Sequence, residues 1–118
     1  MTEYVVMFPA DNEADWDAGT EADHRATFDT DAEFGRLLRE RGGAVTGGAG
    51  LTHSSKARTL TRGATSKALV TEGPYAESVE QLSGFYLVTC DEYDALVEAA
   101  QVLTRAHPVV EIRPVEEY

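Results

Sequence analysis

The side chains able to do chemistry fall into three groups. His24 and Asp31 lie seven positions apart on a stretch that reads as helix, so both project from one face, two turns apart. At about 10 Å along the axis they do not bond each other. A dyad there takes its acid from elsewhere, from Glu72 or Glu111. An imidazole titrating near neutral pH suits a general base, and an exposed helix histidine is the plainer alternative. Glu72, Tyr75 and Glu77 flank Gly73-Pro74. They place an acid and a phenol at the mouth of a cleft, or the Gly-Pro pair fixes a turn and the acids are solvated. Glu111 and Arg113 share a strand face at i, i+2, either as an edge ion pair or as polar groups in an apolar small-ligand cleft. Tyr86 shares a face with Gly84, which leaves room beside the ring. The candidate site is therefore His24 with Glu72 as catalytic pair, and Tyr75, Tyr86, Glu111 and Arg113 around a ligand.

The other reactive types suggest less. His53, beside Ser54 and Ser55, and His107, beside Pro108, stand isolated and read as surface residues. Cys90 ends an apolar strand, so a buried inert thiol is expected. It is the single cysteine, which excludes an intrachain disulfide. No H-x-x-H, C-x-x-C or carboxylate cluster has metal-ligand spacing, so no metal and no cofactor is expected. Gly47, Gly48 and Gly50 do not make a phosphate loop, because the G-x-x-x-x-G-K-[ST] pattern is missing.

The chain has 118 residues, the size of one domain spanning 1–118, long enough for a core without staples. Its 10 basic and 21 acidic residues give a formal charge of −11. Nucleic acid and anionic membrane surfaces are excluded as expected partners, since both need a basic patch. The first residues, Met1-Thr2-Glu3-Tyr4, lack the basic and apolar regions of a signal peptide, and no stretch approaches the ~18 apolar residues of a membrane span. A cytoplasmic protein is the expectation.

Several elements must position these residues. Tyr4 to Phe8 reads as a first strand, and 10–19 as an acidic loop with Trp16 as a lid over the core edge, a ligand-stacking platform being the alternative. Thr20 caps a helix running to Arg41, stopped by Gly42-Gly43. Phe34, Leu37 and Leu38 form its apolar stripe, which Thr27, Thr30 and Asp31 interrupt earlier. Gly35 suggests a close approach of helix to sheet. The glycine-rich 44–51 reads as a strand with a bulge or kink, and 57–62 with 67–71 as a hairpin at a sheet edge. Leu82 to Cys90 is the most apolar strand, with Phe85, Leu87 and Thr89 on one face and Gly84, Tyr86, Val88 and Cys90 on the other. Asp91 caps a second helix carrying Tyr93, Leu96, Val97, Ala100 and Leu103 at helical spacing. Val109 to Arg113 is the last strand.

The order β-α-β-(ββ)-β-α-β, with the hairpin set aside, is the ferredoxin-like split pattern: an α+β fold with an antiparallel sheet and both helices on one face. The other face stays apolar. Two such faces pair into a dimeric α/β barrel, so a homodimer is expected.

Glu72-Gly73-Pro74-Tyr75-Ala76-Glu77, followed by Glu80-Gln81-Leu82-Ser83-Gly84-Phe85-Tyr86-Leu87, resembles the signature of the YCII-related, DGPF-type family, whose usual form is D-G-P-F-A-E then K-E-Q-L-G-G-F-Y. Val109 to Val115 resembles its C-terminal strand. The resemblance covers nearly the full length and implies the same dimeric barrel. It implies little chemistry: most members have no known activity, some relatives are small enzymes or have a proposed His–Asp pair in a cleft, and lactone dehydrochlorination is one activity linked to the group. His24 lies in the broad region where such relatives can place their histidine. Glu72 and Tyr75 depart from the motif Asp and Phe.

Two function classes follow. One is a small dimeric protein that binds a small molecule or regulates, without chemistry; the absence of a convincing catalytic set favours it. The other is an enzyme for proton transfer or elimination on a small organic acid or lactone, with a His/acid pair in the barrel cleft.

Overall fold

A computed structural model of the chain describes residues 2–118; Met1, which opens the segment read for a leader, lies outside the described residues. The β-branched run before Pro9 forms β1 (Thr2–Met7). A short β2 (Asp11–Asn12), α1 (Glu13–Ala18), α2 (Glu21–Glu40) and β3 (Ala44–Gly50) follow. A 3-10 turn over Ser54–Lys56 leads into β4 (Arg58–Thr61) and β5 (Leu69–Glu72). Then come β6 (Glu80–Gln81), β7 (Gly84–Cys90), α3 (Tyr93–Ala100), a 3-10 turn over Gln101–Arg105, and β8 (Glu111–Pro114).

The segment 10–19, expected as a loop, contains α1. The Asn12 side chain accepts the Asp15 amide at 3.0 Å, and Glu13 and Asp15 put negative charge at the positive helix end. Thr20 caps α2 as expected. Its hydroxyl accepts from the Asp23 amide at 3.2 Å, and the Asp23 carboxylate accepts the Thr20 amide at 2.9 Å, closing a capping box. Gly42, at φ 82°, takes the left-handed conformation that ends the helix. The close approach expected at Gly35 lies at Gly43 instead. A Cβ at Gly35 would touch only the Arg39 guanidinium, at 3.4 Å, whereas at Gly43 it would meet the Leu38 side chain and the Thr89 carbonyl, both at 2.7 Å. α3 also starts differently: Glu92, not Asp91, is its N-cap, and no side chain caps it.

Four strands make the main sheet in the order β3-β7-β1-β8, every neighbouring pair antiparallel. β2 pairs with β6, and β4 with β5, in separate two-stranded ribbons. Tyr4, Val6, Val88 and Cys90 point to one face, where Phe34, Leu38, Leu96, Ala99 and Leu103 from the helical segments meet them. Phe34, Leu38, Leu96 and Leu103 are fully buried, each contributing roughly 1.5–3 kcal/mol of transfer free energy. This is the α+β arrangement expected, with α2 and α3 on one face.

The opposite face carries Val5, Met7, Phe85 and Leu87, all half-buried. Glu111 pairs with Met7 and Arg113 with Val5, so both lie on this face, away from the helices. Between Val45 and Gly47 the register of β3 slips by one residue, the expected bulge. Thr46 sits at the slip and its hydroxyl donates to the Leu87 carbonyl at 3.2 Å. Among the described residues no helix is long and apolar enough to cross a membrane.

Candidate functional site

His107 follows the 3-10 turn after α3, its amide donating to the Leu103 carbonyl at 2.9 Å. The expectation of a surface residue is overturned: His107 is 5% exposed, and its ring stacks on Phe8 with centroids 3.7 Å apart. Nδ1 lies 2.8 Å from Asp11 Oδ2 and Nε2 lies 3.0 Å from Asp31 Oδ1. Both partners are carboxylates, so both ring nitrogens donate and the ring is an imidazolium. Burial works against that charge. The hydrogen bonds to Asp11 and Asp31, with their negative charges, outweigh it and raise the His107 pKa from 6.5 to about 9.

Two further hydroxyls complete the network. Tyr86 donates to Asp31 Oδ2 at 2.8 Å, and Ser83 donates to Asp11 Oδ2 at 2.6 Å. Burial, then the hydrogen bond to Asp31 and its charge, push the Tyr86 phenol above its ordinary range. Asp11 Oδ1 is buried and has no hydrogen-bond partner.

Each member has a distinct scaffold. Asp11 opens β2, Asp31 lies mid-α2, Tyr86 lies mid-β7, and His107 closes the turn before β8. Opposite Tyr86 the edge strand supplies Gly48, whose φ of 136° and lack of a Cβ let its backbone pass the ring.

The network lies in a cleft of about 1110 Å³. Trp16 and His24 form one wall, stacked with centroids 3.9 Å apart, and His24 Nε2 lies 2.8 Å from the Trp16 carbonyl oxygen. Trp16 is thus a cleft wall rather than a lid on the core. Phe28 meets its edge. The rim carries Glu13, Asp15, Asp17 and Asp23. Burial raises the Glu13 pKa, but hydrogen bonds from Ser54 and the nearby His53 more than offset this and lower it.

Of the six residues of the candidate site read from the sequence, the fold brings His24 and Tyr86 into this cleft. Glu72 ends the separate β4–β5 ribbon, and Tyr75 is 88% exposed in the turn after it. Glu111 and Arg113 lie on the other face of the sheet. Asp31 does pair with a histidine, but with His107 rather than with its helix neighbour His24. One signal for it was present: Asp31 interrupts the apolar stripe of α2 at a position that faces the sheet. Nothing local marks Asp11 or His107. Cys90 is buried and free, as expected of a core thiol. Among the described residues no group of three or more His, Cys, Asp or Glu is arranged to hold a metal ion.

A buried imidazolium between carboxylates, with a phenol on one of them, is a set of titratable groups converging on a cleft. Such a set can hold, donate and accept protons at one place.

The sequence is 38% identical over 71 residues to an uncharacterized protein of Rhizobium meliloti (strain 1021), covering 58% of this chain and 56% of that relative. The matched segment thus spans little more than half the relative's length. The model of the YCII-related domain matches residues 2–118, and the chain belongs to the YCII-related domain family.

Proposed function

We propose that the chain is a small enzyme that moves a proton on a small organic substrate held in the cleft, in an isomerisation or an elimination. The observation that supports this is the buried His107 imidazolium between Asp11 and Asp31, opening on a cleft large enough for a metabolite. In this reading Asp31 accepts the substrate proton. Tyr86, once released from Asp31, donates to the substrate oxygen where charge develops. His107 positions Asp31 and balances its charge. Glu72 has no part, because it stands on the separate ribbon.

A binding or regulatory role is the second reading. It is favoured by one observation: both ring nitrogens of His107 are already engaged, as in a network that only shapes a pocket.

Deuterium uptake separates the two. A panel of carbonyl compounds and lactones with acidic C–H bonds is incubated with the protein in D2O and followed by proton NMR. Uptake with wild type, lost in Asp31→Asn, supports the enzyme. No uptake across the panel favours the binding role.

The assembly in this proposal is a homodimer, a ferredoxin-like barrel closed by the open sheet faces. Val5, Met7, Phe85 and Leu87 would meet their copies there, and Glu111 and Arg113 would line its edge. Sedimentation of wild type against Leu87→Lys tests it. A wild-type monomer would overturn the barrel.

A further inference from the structure

We propose that the cleft selects a small organic cation, an amine carried as its ammonium form; this rests on reading the cleft as the substrate site. Three observations carry it.

The first is the charge balance of the floor. Asp11 and Asp31 share one imidazolium, which leaves the trio with a net negative charge. Asp11 Oδ1 has no hydrogen-bond partner, so part of that charge is uncompensated below the cleft surface. A nearby positive group gains from it without touching it, because charges interact strongly in a poorly hydrated site.

The second is the rim. Glu13, Asp15, Asp17 and Asp23 line it, and among the described residues no Lys or Arg does. A carboxylate or phosphate ligand would leave water for a field of its own sign and find no guanidinium or ammonium partner. The organic acids expected from the sequence alone fit this lining poorly.

The third is the aromatic wall. Trp16 and Phe28 are 42% and 60% exposed, and both line the cleft. Indole and phenyl faces attract ammonium groups through their ring quadrupoles. A neutral ligand would use this wall but not the field; a cation uses both. An amine also suits the proposed chemistry, because a protonated nitrogen acidifies the neighbouring C–H bond that Asp31 would attack.

The test is an NMR titration of nitrogen-15-labelled protein with benzylamine, benzyl alcohol and benzoate, three probes of one shape and different charge. Benzylamine is expected to bind at least about tenfold tighter than benzoate at low salt, a difference of about 1.4 kcal/mol. Its shifts are expected at the Trp16 indole, Gly48 and His107. The Asp15→Asn/Asp17→Asn variant should weaken benzylamine several-fold and leave benzyl alcohol unchanged. Trp16→Leu should weaken both. Benzoate binding as tightly as benzylamine overturns the proposal, as does benzylamine spreading its shifts over the acidic surface outside the cleft. The titration reads binding and not turnover. A preference for benzoate would therefore overturn the charge class and leave the proton-transfer reading standing, while failed deuterium uptake would do the reverse.

Discussion

His107 and Asp31 stand 76 positions apart in the chain and 3.0 Å apart in the fold. The ring also holds Asp11, so removing it leaves two buried or half-buried carboxylates without their positive partner. His107→Gln is expected to cost about 3 kcal/mol, in the range for breaking a buried ion pair from one side. Urea unfolding at neutral pH measures it. A loss below about 0.5 kcal/mol would mean the network contributes little to the fold.

The same ring makes stability depend on pH. Its folded pKa is raised to about 9 from 6.5. The folded state therefore holds the proton more tightly than the unfolded chain, and the contribution is fully present below about pH 6.5. It is lost as pH rises through about 9. Unfolding free energy should fall by roughly 3 kcal/mol across that window in wild type and much less in His107→Gln. The His107 ring proton resonances should titrate at the upper end of it.

Tyr86→Phe deletes one hydroxyl and its 2.8 Å bond to Asp31 while keeping the ring between Phe8 and Phe34. A hydrogen bond to a charged acceptor contributes about 1.5–3 kcal/mol, so a loss of that size is expected in thermal melts. Because its phenol is held above the ordinary range, Tyr86 should also ionise late in an ultraviolet titration.

Two glycines of β3 should respond differently to alanine. At Gly48 a Cβ would lie 2.3 Å from the Phe85 carbonyl oxygen, on a backbone at φ 136°; at Gly50 it would meet nothing within 4 Å. Gly48→Ala is expected to cost about 1–3 kcal/mol and to disturb the Tyr86 resonances. Gly50→Ala should stay within about 0.5 kcal/mol of wild type. Equal melts for the two would remove the close approach as the reason for the glycine.

Periodicity carried much of the fold. The alternation in Gly84–Cys90 separates the core face from the open face, and Thr20 with Asp23 announces the helix that follows. α1 was hidden because its signal is a single cap at Asn12 on a six-residue helix without a buried stripe. The site was less legible. Asp11, Asp31 and His107 come from three segments joined only by the closure of the sheet, and no spacing rule links positions 96 and 76 residues apart. His107 beside a proline looks like surface because residue type alone does not reveal which partners will neutralise it. The motif around Gly73-Pro74 drew attention to Glu72 and Tyr75, yet it shapes a turn, with Gly73 at φ 100°, on the exposed side of the chain.

The slip at Thr46 moves every later residue of β3 along β7 by one place. Paired in the register that Ala44 and Val45 begin, Thr46 would face Leu87 and Gly47 would face Tyr86. The slip instead sets Gly48, at its left-handed φ, across from Tyr86, and sends the Thr46 hydroxyl to a strand carbonyl. A single deletion at Thr46 would thus restore regular pairing while leaving Gly48 across from Tyr86. It would remove the Thr46 hydroxyl's bond to the Leu87 carbonyl and straighten the edge strand, without touching any titratable group. The extra residue is in this sense a bend built into the edge strand beside the cleft, set apart in the chain from the proton network beneath.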